Sequence, residues 1–167
     1  TYTLISSYTL TNFQTSVTFS SIPQTYTDLV LVVSANGTRP SGDIRMQLNS
    51  DTSTNYSHTM MQGLGGSGTW VERGTSMTYL NLLNNMGSYG TNNYIPIIVN
   101  FMNYSNTTTN KMILVRQDGV IDNNVQARVG LWRNTSAIST IYLWNEAGGV
   151  WFYTAGSTFS LYGITAA

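Results

Sequence analysis

Side chains able to carry out acid–base or nucleophilic chemistry are few and scattered in this sequence. The one histidine is His58, in the run Tyr-Ser-His-Thr. Serines are plentiful, but no glycine pattern of a nucleophile elbow accompanies them. The seven carboxylates mostly fall at predicted turns, where Asp hydrogen-bonds the backbone, and only the fold could bring two of them together as a glycosidase pair. We therefore predict no catalytic residue and no enzymatic activity.

Two polar or glycine-rich stretches resemble ligand-binding loops without completing their patterns. NSDTSTN, residues 49–55, places side-chain oxygens at alternate positions, but it lacks the glycine of a calcium loop and Met60 stands where a bidentate glutamate is needed. GLGGSG, residues 63–68, leads into neither a GK[ST] sequence nor a helix, so it is not a phosphate loop. There is no cysteine to bind zinc or iron. We expect residues 49–55 to form an Asx-rich turn and residues 63–68 to form a loop that adapts to a neighbouring subunit. We expect no bound metal and no cofactor.

Aromatic residues carry more information about function. Trp144 lies on the opposite strand face from Leu143, so it points away from the core if Leu143 faces the core. Three interpretations remain open for the aromatic rings near the C-terminus. They form a second apolar layer covered by loops, a protein interface, or a platform on which sugars stack. The candidate contact residues for a partner or a glycan are Trp70, Trp144, Trp151 and Tyr153.

The surface implied by the composition is uncharged and rich in hydroxyls and amides. Thr, Ser and Asn number 24, 18 and 17 among 167 residues, whereas charged residues make up 8% and balance to no net charge. Average soluble domains contain about 25% charged residues. A neutral surface does not attract nucleic acid or an anionic membrane, so neither partner is expected. The N-terminal stretch TYTLISSYTL also lacks the pattern of a secretion signal.

Alternating apolar residues predict an all-β protein. About ten short strands are separated by turns rich in Gly, Asn, Ser and Thr; among them are DLVLVVSA at 28–35, VQARVGLWR at 125–133 and the closing GSTFSLYGI at 156–164. The segment 75–93 is different, because MTYLNLLNNMG allows one or two short helical turns. We predict one domain, residues 1–167, folded as an antiparallel β-sandwich of the jelly-roll type.

Four stretches together resemble small virion proteins of tailed bacteriophages, especially phages of cyanobacteria. They are SSIPQTYTDLVLVVSA (20–35), QLNSDTSTNYS (47–57), GLWRNTSAISTIYL (130–143) and GSTFSLYGI (156–164), and the opening TYTLISSYTL is similar as well. The sequence departs from the pattern at Ser50, where a glycine is common, and residues 64–95 have no counterpart. The resemblance implies a β-sandwich on a virus particle, often a trimer, without catalysis.

The resemblance leaves two positions on the particle open. A decoration or cement protein binds the major capsid protein on the assembled shell, whereas a receptor-binding or fibre-tip module sits on head, neck or tail and recognises host glycans. The sequence has no coiled-coil heptads or collagen-like repeat, and its first strand begins within a few residues of Thr1. We therefore expect the cement protein, located on the capsid surface, forming a homotrimer and contacting the major capsid protein and other virion proteins. The receptor-binding module is the alternative.

Overall fold

Twelve β-strands make up the fold seen in a computed structural model, which describes residues 1–38, 42–66, 68–86, 93–119, 124–146 and 152–165. The described residues contain no helix, so none among them is long and apolar enough to cross a membrane. The strands are β1 Tyr2–Thr9, β2 Ser16–Phe19, β3 Asp28–Ala35, β4 Gly42–Leu48, β5 Tyr56–Leu64, β6 Gly68–Met77, β7 Leu80–Met86, β8 Ile95–Phe101, β9 Lys111–Gly119, β10 Asn124–Trp132, β11 Ile141–Glu146 and β12 Thr158–Ile164.

The strands form two antiparallel sheets of unequal size. The large sheet has eight strands in the order β1-β12-β3-β8-β9-β10-β5-β6, and the small sheet has four in the order β2-β11-β4-β7. The prediction of an all-β, antiparallel protein is confirmed. The jelly roll is not confirmed, because eight strands lie in one sheet whereas a simple jelly roll divides eight strands between two sheets.

The core lies between the sheets and draws on alternate residues of both. In the small sheet, Ile44 and Met46 of β4 and Leu143 of β11 are fully buried, as their period-2 spacing predicts. In the large sheet, Leu31 of β3 and Ile97 of β8 complete the same cluster. Both sheets thus bury one face against the other, which is the arrangement of a β-sandwich.

The helical turns predicted within 75–93 do not form where the structure describes this segment. Its first residues continue β6 as far as Met77, and Leu80–Met86 form β7 at the edge of the small sheet. Residues 87–92 lie outside the described part of the chain. Leu80, Leu82 and Leu83 are buried against the core, so tertiary packing decides the strand.

The Asx-rich stretch 49–55 forms a turn held by the side chain of Asp51. The Asp51 carboxylate accepts hydrogen bonds from Ser53 N at 2.9 Å, Asn55 Nδ2 at 2.9 Å and Trp132 Nε1 at 2.8 Å. Burial by itself raises the pKa of Asp51, but these hydrogen bonds outweigh burial and lower the pKa to about 2. No cluster of three or more His, Cys, Asp or Glu that could hold a metal occurs among the described residues.

Candidate binding surface

The first part of strand β10 exposes apolar residues and buries polar ones, whereas at its end Trp132 is fully buried in the core. Val125 is 62% exposed and Val129 is 50% exposed. On the opposite face of the strand, Arg128 is 2% exposed and Gln126 is buried as well. An ordinary half-buried strand has the opposite arrangement, with polar residues towards water. The inversion places an apolar strand face on the outside of the large sheet, which we call the outer face.

The outer face carries apolar side chains on most of six neighbouring strands, with Arg116 and Asn100 as polar exceptions. One row of directly paired residues runs across β3, β8, β9, β10, β5 and β6, and it consists of Val32, Ile98, Arg116, Ala127, Met61 and Val71. Directly paired residues share a sheet face, so these side chains form one continuous strip. Contiguous exposed apolar patches on a protein surface are a common feature of interaction sites.

Two adjoining shallow grooves follow this strip. The first has a volume of about 490 Å³ and lies over β5, β8, β9 and β10, where its lining includes Leu114 and Val129. The second, about 440 Å³, lies nearer the β6 edge, where its lining includes Val71 and Val125. Met61 and Arg116 line both. The outer face thus contains two adjoining, mainly apolar depressions.

Arg116 supplies the one charged side chain of the six-strand row. Its Nη2 donates a hydrogen bond to Asn100 Oδ1 at 3.2 Å, and no carboxylate pairs with it among the described residues. Arginine is enriched in the centre of protein interfaces because its planar guanidinium both stacks and hydrogen-bonds. Arg116 therefore gives the apolar groove one fixed polar contact.

Trp144 lies on the opposite side of the molecule, on the exposed side of the small sheet. Its ring stacks on Tyr142 at 5.2 Å between centroids and meets Tyr79 edge-on at 5.9 Å, and the Arg45 guanidinium lies 4.0 Å from the Tyr79 ring centre. Trp144 points away from the core, as predicted, but it is half-buried by these neighbours. Its role as a contact residue stays a prediction.

The other three aromatic candidates have different outcomes. Tyr153 is completely buried and packs on Phe159 at 5.0 Å between ring centroids, so it has no surface to offer a partner or a glycan. This corrects its selection as a contact residue. Trp151 lies outside the described residues. Trp70 is 58% exposed on the edge strand β6, which suits a contact residue, although nothing in the structure identifies what it contacts.

His58 is buried on the inner side of β5 beside two charged groups. Its Nε2 lies 3.3 Å from Glu72 Oε1, and Arg128 donates from Nη1 to Asn81 O at 2.5 Å nearby. Burial is the main cause that lowers the pKa of His58, the Arg128 charge lowers it further, and Glu72 partly opposes both. The lowered pKa favours the neutral imidazole at neutral pH.

We expect the protein to lose stability as the pH falls below about 6.5. The pKa of His58 in the folded protein lies below its ordinary value of 6.5, so the unfolded chain takes up the proton first. The contribution of neutral His58 to the free energy of unfolding is complete above pH 6.5. It declines as the pH falls towards the pKa of His58 in the folded protein. Urea unfolding of the wild type and of His58→Gln between pH 7.5 and 5 measures it. An identical pH slope for both proteins would contradict this assignment.

The outer-face residues were missed when contact residues were selected from the sequence. The alternation of Val125, Ala127 and Val129 was visible, but a period-2 pattern does not say which strand face is covered. The available signal was the charged residue in the alternate set, Arg128, because burying it requires partners that only the fold supplies.

Comparison with known proteins adds little to this geometry. No protein-family model matches the chain, and no curated protein matches it. A solved structure of mutant alginate lyase Aly36B in complex with alginate tetrasaccharide is similar over 96% of this chain and 80% of that chain, with 10% sequence identity and a TM-score of 0.29. A likeness this weak does not bear on enzymatic activity in either direction.

Proposed function

We propose that the protein is a non-enzymatic virion protein that binds the assembled major capsid protein through its outer face. The observation that carries the proposal is the inverted pattern of β10, which leaves a largely apolar face open across six strands. The resemblance to small phage virion proteins suggests the partner. In this role the protein is a decoration or cement protein on the capsid surface, and it has no catalytic site or cofactor.

The physical mechanism is stabilisation by preferential binding. A protein that binds the assembled shell more tightly than free subunits shifts the equilibrium towards the shell. Repetition over many equivalent sites multiplies a modest contact energy through avidity. With 8% charged residues and no net charge, copies of the protein repel each other little when they lie side by side on the shell.

Replacing Val129 by lysine is expected to weaken capsid binding at least about 100-fold. Val129 lies in the larger groove, and an unpaired charge buried there costs about 3 kcal/mol, which corresponds to that factor. The measurement is co-sedimentation of the purified protein with capsids that lack it. Thr18→Lys adds the same charge at an exposed position of β2 in the small sheet and should bind like the wild type. Equal binding by the Val129 variant would contradict the proposal.

The alternative is a receptor-binding or fibre-tip module that recognises host glycans. The exposed indole of Trp70 favours it, because aromatic rings at the surface provide stacking platforms. Electron cryo-microscopy of the intact particle separates the two. Density repeated over the shell supports the cement protein, whereas density confined to a vertex, neck or tail supports the alternative.

A further inference from the structure

Strand β6 forms an open edge of the large sheet. Among the described residues it pairs only with β5, and its first seven residues, Gly68–Gly74, pair in regular register before the ladder shifts. Trp70 on one face and Val71 on the other are both exposed. Natural edge strands are usually protected against pairing by lysine, proline, bulges or shortness. Gly68–Gly74 contains no lysine, proline or bulge and is not short, although it carries two charged side chains, Glu72 and Arg73.

The other three sheet edges offer shorter regular stretches than Gly68–Gly74 of β6, whose own ladder shifts only after Gly74. Strand β2 has four residues, and the ladders that join β1 to β12 and β7 to β4 both contain register shifts. Bulges and short length hinder the addition of another strand. The difference between β6 and these edges therefore requires an explanation at β6 itself.

The regular part of β6 has the sequence GTWVERG, which is arranged around Val71 with a glycine at each end. Antiparallel pairing with a second copy about a two-fold axis perpendicular to the sheet places one central residue opposite its own copy. The two-fold axis then places residues at equal distances on either side of the centre opposite each other, and such paired residues share a face.

We propose that β6 pairs with β6 of a second copy of this chain, centred on Val71. Val71 then faces Val71 in the apolar outer face. On the other face the Trp70 indole N–H lies opposite the Glu72 carboxylate of the second copy, an acceptor for it. Thr69 lies opposite Arg73, whose guanidinium donates to a hydroxyl oxygen. Seven paired residues on each strand supply about six to eight main-chain hydrogen bonds.

Neighbouring registers are less favourable. A centre at Glu72 places two carboxylates directly opposite, and a centre at Arg73 does the same with two guanidinium groups; like charges in these positions are destabilising. A centre at Trp70 carries Arg73 beyond Gly68, the first residue of the second copy's strand. The charge pattern of β6 thus selects the register centred on Val71.

The pairing joins two eight-stranded sheets into one and turns both outer faces to the same side. The outer faces of the two copies then face a common surface, so the dimer binds this surface with one outer face from each copy. The expected assembly is a two-fold dimer, whereas the resemblance implies a trimer. The dimer does not depend on capsid binding and is measured with purified protein alone.

The first measurement is the mass of the purified protein by analytical ultracentrifugation. We expect twice the chain mass of 18.4 kDa for the wild type. Val71→Lys places two ammonium groups opposite each other and should reduce the species to the monomer. Val125→Lys is a matched control, because Val125 and Val71 are each 62% exposed on the outer face and only Val71 lies on the edge strand. It should remain a dimer even though it weakens capsid binding.

Cysteine substitution tests the register directly, since the chain has no native cysteine. Directly opposed residues of antiparallel strands have Cα atoms about 4.5–5.5 Å apart, within disulfide range. Val71→Cys should form a covalent dimer under mild oxidation at least about tenfold faster than Arg73→Cys or Val125→Cys. A monomeric or trimeric wild type, or equal cross-linking of all three variants, would overturn the proposal.

Discussion

Replacing Asp51 by alanine is expected to lower the free energy of unfolding by about 3 kcal/mol, since hydrogen bonds to a charged acceptor contribute about 1.5–3 kcal/mol each and are not fully additive. Its carboxylate holds three donors, from Ser53, Asn55 and Trp132, and so joins the 49–55 turn to the end of β10. Urea unfolding followed by circular dichroism measures the change. The control is Asn134→Ala. The Asn134 side-chain oxygen accepts a hydrogen bond from Ser136 N within a turn, and its loss should lower the free energy of unfolding by about 1 kcal/mol or less.

The variant Asp51→Asn separates charge from shape. An amide keeps the size of the carboxyl group but turns an NH₂ towards the Asn55 and Trp132 donors, so we expect a loss of about 2 kcal/mol.

The pH dependence follows from the lowered pKa. The stabilisation by the wild-type carboxylate is complete above the unfolded value of 3.8 and is lost as the pH falls towards about 2. A wild type that loses no more stability than Asp51→Asn over this range would refute the assigned role.

Replacing Arg128 by alanine is expected to destabilise the fold by about 4 kcal/mol, because deleting one member of a buried, hydrogen-bonded charged group leaves its partners without compensation. Arg128 is 2% exposed and donates to Asn81 O and Met60 Sδ. The Glu72 and Asp43 carboxylates favour its charged form, yet burial is the larger effect and lowers its pKa to about 10.

Arg128→Met distinguishes lost volume from lost charge. Methionine fills much of the space of arginine without a buried charge, so the expected cost is about 1–2 kcal/mol, well below that of alanine. Both variants are compared with the wild type by urea unfolding at pH 7. If alanine and methionine cost the same small amount, Arg128 does not anchor β10 to β7. That result would also remove the reason why β10 buries its polar side.

The burial of Arg128 and Trp132 on one side of β10 accounts for the open outer face. Burying Arg128 requires Gln126, two residues away on the same strand face, to turn inwards as well. Val125 and Val129 must then point outwards, because alternate residues lie on opposite sides of a strand. The interior hydrogen bond to Asn81 and the exposed apolar strip are therefore two consequences of one strand orientation.

Most strands could be predicted from local pattern alone. The alternation of Ile44, Met46 and Leu48 indicated β4, and the closing stretch became β12, paired on both sides by β1 and β3. The helical turns expected after residue 75 were wrong because leucines at 80, 82 and 83 suit either structure until a sheet provides neighbours. Short apolar runs do not determine secondary structure on their own.

The sequence by itself determined the all-β class, the turn at Asp51 and the scarcity of groups for catalysis, because these depend on residue type and local spacing. Only the tertiary structure decided which face of each strand is covered, that Tyr153 is buried, and that β6 lies at an open edge. The physical reason is that burial is set by contacts between residues distant in the chain. A period of two is identical for a strand face packed in the core and for one left open to a partner.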